Sequence, residues 1–440
     1  MVIINKIIAL IFSISILGLS FLIRKIVGTW IFPACIFSLF WFAFTFIPLL
    51  CLFSVPVEPM SIGFILVCNV AFSLGSIQFD WKLALNRNIT KSGSVNKIYN
   101  NMFLKTIFYL IMILSSIFLV LNSLIQGITI YDLIFNLFGS AAKYADLRYS
   151  EQIKINIYGQ LSLVFSYLGV VIGGFLFFNA DTKSRRVIIA ILAFLPSAFI
   201  AITQSAKGSL PLSIVLFYAG VLICRISDNK INILEKFSIK PILFYAVPTG
   251  IILIISFITR GLYEIGDLGF VLEKLKYNFT SYSFGHIYAF SDWFSFRIGD
   301  SSFLNYNEEN TSYGFYTFMA LYRLFGSDKF VPIGVYEEYL KYNDLFTTNI
   351  FTMFRGLLLD FGGVGSIIYM YITGVLFHLS FYVLLFNKKP VLVVAIFVFM
   401  LGYIYSSFLI SVLMWNSIYI SFVLLWAILS INNLFYSYTQ

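Results

Sequence analysis

The sequence predicts an all-α polytopic transmembrane helical bundle. Apolar stretches of membrane-spanning length recur, charge is scarce, and most of it sits between the stretches. Of 440 residues, 60% are hydrophobic, 19% aromatic and 11% charged, too little polar surface to cover a water-soluble globule. A helix needs about 20 apolar residues to cross the hydrocarbon core, and about eleven such stretches are present. Residues 1–440 therefore read as one integral membrane domain, with a large polar loop over 260–362 inside it.

In chain order the stretches fall at residues 3–23, 28–54, 61–79, 106–126, 158–179, 187–204, 210–225, 241–259, 363–386, 390–411 and 416–434. The first carries Lys6 but has no small-residue cleavage site before Arg24 and Lys25, so it is expected to stay as a helix. Gly173-Gly174 in the fifth, and Gly362-Gly363 with Gly365 at the start of the ninth, read as close helix packing or a bend. His378, deep in the ninth, is expected to bond a neighbouring helix. Cys35, Cys51, Cys68 and Cys224 all lie in apolar stretches and suggest no disulfide framework.

Lys and Arg mark the cytoplasmic connections. Arg24 and Lys25; Lys82, Arg87, Lys91, Lys97 and Lys105; Lys183, Arg185 and Arg186; Arg225, Lys230, Lys236 and Lys240; and Lys388 and Lys389 all fall in every second connection. They are 16 of the 29 basic residues, and the opposite short connections hold Lys143, Arg148, Lys154 and Lys207. The expectation is a periplasmic N-terminus, a cytoplasmic C-terminus and an outer loop over 260–362. The net charge of +9 follows from this excess and calls for no nucleic acid.

The outer loop concentrates 12 of the 20 acidic residues together with Arg260, Arg297, Arg323 and Arg355. Its density of Tyr, Phe and Trp argues for order, and short interfacial helices are expected. Read as one helix, residues 277–300 bring Tyr282, His286, Ala289, Trp293 and Arg297 onto a single stripe. That stripe holds an acid–base group, two rings and a cation. His286 is the one histidine expected outside, as a base or as a residue packed against a neighbouring helix. Arg148, Lys207 and Arg260 are the other outer cations, suited either to pyrophosphate oxygens or to anchoring helix ends. Glu308-Glu309 and Glu337-Glu338 read as solvated loop surface, and no metal-ligand spacing such as His-x-x-x-His or Cys-x-x-Cys occurs.

The segment from Thr347-Thr348-Asn349-Ile350-Phe351-Thr352 to Asp360-Phe361-Gly362-Gly363-Val364-Gly365 resembles the Asn-x-Tyr-Thr and Asp-Phe-Gly-x-x-Gly pieces of bacterial oligosaccharide repeat-unit polymerases, the O-antigen polymerase (Wzy) family. Phe351 stands where that family more often has Tyr. Ala145-Asp146-Leu147-Arg148-Tyr149 and the run from Ser283 through His286 to Trp293 are similar to family segments too. The family's Arg and Gly with ten residues between them is matched by Arg148 with Gly159 and by Arg323 with Gly334.

The resemblance implies a GT-C-like bundle in the bacterial inner membrane and a glycosyltransferase. It would move a growing glycan from undecaprenyl pyrophosphate onto a hydroxyl of the next lipid-linked repeat unit. Arg148, Lys207, Arg260, Arg297, Arg323 and Arg355 would hold the leaving pyrophosphate, with Asn349 beside them. His286, or else Asp292 or Asp360, would take the acceptor proton, while Tyr282, Tyr288 and Trp293 would hold sugar rings. Neither metal nor nucleotide is required. The implied partners are the lipid-linked oligosaccharide, the bilayer, a chain-length regulator and a flippase. Two alternatives stand beside this reading: an O-antigen ligase acting on lipid A core, and a lipid-linked oligosaccharide transporter.

Overall fold

The computed structural model describes residues 2–89, 98–150, 152–204, 208–228, 250–252, 254–258, 267–306, 311–329, 336–386 and 390–438. It is helical almost throughout. The helices are α1 (Val2–Val27), α2 (Pro33–Cys51), α3 (Pro59–Leu74), α4 (Trp81–Ile89), α5 (Met102–Ile125), α6 (Ile130–Phe135), α7 (Leu137–Tyr149), α8 (Ile157–Asn179), α9 (Lys183–Thr203) and α10 (Ser209–Ser227). After these come α11 (Leu268–Ser283), α12 (Gly285–Arg297), α13 (Phe315–Leu324), the strands β1 (Leu340–Tyr342) and β2 (Phe346–Thr348), α14 (Thr352–Phe386), α15 (Val391–Ser406) and α16 (Asn416–Tyr438).

Among these, α1, α2, α5, α8, α9, α10, α14 and α16 are long and apolar enough to cross a membrane, while α3 and α15 are apolar but shorter. Eight of the eleven expected stretches are thus candidate spans, two more coincide with the shorter α3 and α15, and the stretch 241–259 lies largely outside the described residues. The sequence boundaries are otherwise close. Pro33 and Pro59 open α2 and α3 at their first helical positions, where a missing N–H costs nothing.

Lipid tails are as apolar as the helices they surround, so packing rests on close contact. Gly174 of α8 and Gly220 of α10 let two backbones touch: a Cβ on Gly174 would collide with the Phe217 carbonyl, and one on Gly220 with that of Val171. This is the close packing expected at Gly173-Gly174. Gly362, at φ 65° and ψ −174°, breaks α14 into a short leg and a spanning leg, as expected of a bend. The helix nevertheless starts at Thr352, inside the segment read as loop, because residues 352–360 are buried and pack as a helix against the bundle. His378 departs from expectation: its Nδ1 lies 2.6 Å from the Gly374 carbonyl of its own helix, and its ring packs 4.7 Å from Phe32.

At one end of the bundle α1 is tied to the end of α2 and to α12. Lys6, fully buried in α1, donates to the Leu52 carbonyl at 3.2 Å and to the Tyr288 hydroxyl at 2.9 Å. That end carries the loop. The loop contains, besides short helices, a β-hairpin pairing Leu340 with Thr348 and Tyr342 with Phe346. Asn343, at φ 43°, turns it.

Candidate active site

The site lies where α12, the hairpin and the short leg of α14 meet. The chain breaks at Phe284 between α11 and α12, so Tyr282 does not share a stripe with His286 as a continuous helix would require. Gly285 sits at the break because β2 presses on it: a Cβ there would lie 2.7 Å from Thr348 Cγ2. From Gly285 to Trp293 every residue of α12 is buried.

Arg355, on the short leg of α14, is the centre. Its guanidinium forms a two-pronged pair with Glu338, Nη2 to Oε1 at 2.8 Å and Nη1 to Oε2 at 3.2 Å. Four rings enclose it: Tyr336 at 4.0 Å, Phe351 at 4.4 Å, Tyr306 at 5.4 Å and Trp293 at 5.5 Å from ring centre to Cζ. A guanidinium suits both demands, since it offers a fork to a carboxylate and flat faces to aromatic rings. The side chain of Arg355 is 2% exposed and that of Glu338 29%. Glu338 is therefore a partner of Arg355 and not the free loop surface expected of it.

Asp292 is bound in the next layer. Its carboxylate accepts from the Phe303 amide at 2.6 Å, the Leu304 amide at 3.3 Å and the Tyr306 hydroxyl at 2.8 Å. Burial pushes the Asp292 carboxyl above the ordinary carboxylate value, against those three donors. Burial, and then the Asp292 charge, push the Tyr306 hydroxyl well up. Tyr306 thus joins Asp292 to the ring cage of Arg355. Asn349 belongs to the same layer, its Nδ2 donating to the Tyr336 carbonyl at 3.2 Å.

Asp360 does different work. Its two oxygens accept from Ser312 Oγ at 2.7 Å, the Tyr316 amide at 3.0 Å, and the amide and hydroxyl of Thr317, each at 2.6 Å. Gly314, the N-cap of α13, has no side chain to offer. Asp360 supplies from another helix the cap that α13 lacks, which leaves it engaged as a structural anion.

His286 is fully buried and does not face outward as a free base. Its Nε2 lies 2.9 Å from the Phe44 carbonyl. Pro48 stands four residues after Phe44 in α2 and has no N–H to give that carbonyl. The imidazole fills the vacancy as donor, a tautomer inferred from its carbonyl partner. Burial lowers its pKa to about 4, so it is neutral near pH 7. Phe44 and Phe408 flank the ring at 5.6 and 5.5 Å.

The remaining nominated residues are dispersed. Arg148 stands half-buried in the last turn of α7. Arg297 and Arg323 are exposed at the last turns of α12 and α13. Tyr282 is 39% exposed and meets the Phe257 ring. The Tyr288 hydroxyl is engaged with Lys6 and the carbonyls of Pro48 and Leu52. Lys207, Arg260, Glu308, Glu309 and Gly334 lie outside the described residues. Sequence reasoning missed Glu338, Tyr306, Tyr336 and Phe351 as parts of the cage. Lys6, an ionisable group inside an apolar stretch, carried a readable signal.

Chemically, the site offers a fixed buried cation, a partly exposed glutamate paired with it, and a second carboxylate held by three donors. No protein-family model matches the chain, and no curated protein or solved structure does either.

Proposed function

We propose that the chain is a membrane glycosyltransferase that polymerises polyprenyl-pyrophosphate-linked oligosaccharide repeat units at the periplasmic face of the bacterial inner membrane. One observation carries this reading: the two longest segments that resemble repeat-unit polymerases interlock. Gly285 abuts Thr348 and Trp293 faces Arg355. Segments this far apart in sequence meet around one cation at the loop end of an apolar bundle. A lipid-linked donor and acceptor, both anchored by polyprenyl chains, would present their sugars at such a level.

In this reading Arg355 is a positioning residue that holds the hairpin in place through Glu338. Asp292, buried and bonded by three donors, would serve as acceptor base by exchanging the Tyr306 hydroxyl for that of the acceptor sugar. A deletion strain tests the assignment. Loss of the polymerase leaves a single repeat on lipid A core. Accumulation of free lipid-linked polymer with bare core would assign the chain to ligation instead.

A further inference from the structure

We propose that α11 lies in the membrane interface with an apolar stripe in lipid, tying the loop to the bilayer whatever reaction the loop serves. The helix is seated on the hairpin by its polar side. The Tyr277 hydroxyl lies 2.6 Å from Thr347 Oγ1, Ser281 Oγ accepts from the Thr347 amide, and Thr280 and Ser281 are its buried residues. At helical spacing, Leu268, Val271, Leu272, Leu275, Phe279 and Tyr282 fall on the opposite side, within an arc of about 100°.

That arc is open. Leu268 is 78% exposed, Leu272 66% and Phe279 54%. A helix packed on a water-soluble core turns its apolar side inward, and α11 does the reverse. A contiguous apolar stripe marks a surface that something covers, and two observations identify lipid. The first is position. Tyr282, at the end of the stripe, meets Phe257 with ring centres 5.6 Å apart. Phe257, itself buried, follows Ile251 and Ile254, 53% and 49% exposed, in an apolar stretch of membrane-spanning length, so the stripe adjoins a segment with exposed apolar side chains of its own. The second is charge. Lys276 is exposed on one flank of the stripe and Glu273 lies nearly opposite it, while the Lys274 ammonium is held over the Phe270 and Tyr277 rings on the far side. A lysine placed as Lys276 is can reach lipid phosphates while its stem follows apolar surface.

The test uses the full chain with Cys51→Ser, since Cys51 is exposed and Cys35, Cys68 and Cys224 are buried. Leu272→Cys, Phe279→Cys and, as control, Glu273→Cys are labelled with an environment-sensitive fluorophore. Each variant must first elute as wild type does. They are reconstituted in phosphatidylcholine–phosphatidylglycerol vesicles with brominated acyl chains. The expected result is blue-shifted emission at 272 and 279, quenched several-fold more by brominated lipid than at 273, with aqueous iodide giving the reverse order. Iodide quenching at 272 and 279 equal to that at 273 would place the stripe in water. Protection from both quenchers would mean that protein covers it. Either result overturns the proposal.

Discussion

Arg355 and Glu338 form a two-pronged ion pair of unequal exposure, the guanidinium sealed among four rings and the Glu338 side chain partly exposed. Breaking a fully buried pair costs roughly 3–5 kcal/mol, and partial exposure reduces this. Glu338→Gln and Arg355→Met should each destabilise the protein by about 2–3 kcal/mol. The double variant Arg355→Met with Glu338→Leu should recover most of that loss, because no unpaired charge is left behind. Thermal unfolding in detergent checks the recovery. If the pair also serves the reaction, the recovered double variant will still be inactive.

Asp360→Ala should unseat the start of α13, leaving two amides and two hydroxyls without their acceptor, at a cost of about 2–3 kcal/mol. Asp360→Asn keeps one acceptor oxygen and should cost less. Limited proteolysis near Ser312 and thermal unfolding measure both. An Asn variant of normal stability and no activity would return Asp360 to the list of candidate bases.

His286 and Pro48 should be coupled. His286→Phe removes the donor to the Phe44 carbonyl and should cost about 1–2 kcal/mol. In a Pro48→Ala background the helix supplies its own donor, and the same change should cost much less. A double-mutant cycle of unfolding midpoints measures the difference, and strictly additive costs would rule out the substitution of imidazole for amide.

The pH dependence of stability has a definite sign at His286. The folded protein holds its pKa at about 4 against an ordinary 6.5, so between those values the unfolded chain binds more protons and stability rises with pH. Stability attributable to His286 should therefore fall as pH drops from about 6.5 to about 4, by no more than roughly 3.4 kcal/mol. The raised carboxyl of Asp292 acts in the opposite direction, so the informative quantity is the difference between wild type and His286→Phe across this range. Parallel curves would exclude the effect.

Single-cysteine labelling tests the orientation read from Lys and Arg placement. Asn96, Asp228 and Lys389 should be protected from an impermeant reagent in intact cells, and Ser150 and Asn307 should react. Labelling of Asn96 with protection of Asn307 would invert the bundle and remove the proposed reaction from the periplasm.

The spans were legible because lipid imposes a length and a composition that local sequence must satisfy. The boundaries of α8, α10 and α16 follow from this. The start of α14 did not, since Thr352 to Asp360 are buried by tertiary packing rather than by an apolar run. Arg355 was legible as a cation in the loop, but Glu338 looked like one of two adjacent solvated acids. Only the fold brings it beside the guanidinium. His286 was read for its chemistry and is explained by an imino acid in another helix, a relation that no local pattern in its own segment encodes. The helix break at Phe284, which separates Tyr282 from the residues of α12, likewise depends on the pressure of β2 against Gly285.

The Lys6–Tyr288 contact bears on how the protein is made. Tyr288 leaves the ribosome 282 residues after Lys6, which at roughly 5–20 residues per second is a delay of tens of seconds. During that interval α1 is already apolar enough to enter the bilayer while its ammonium group has no hydroxyl partner. The lysine stands near the start of the helix, where its long stem lets the charge wait among headgroups. Closure of the first helix onto the loop is then a late event in biogenesis, timed by the arrival of a single tyrosine.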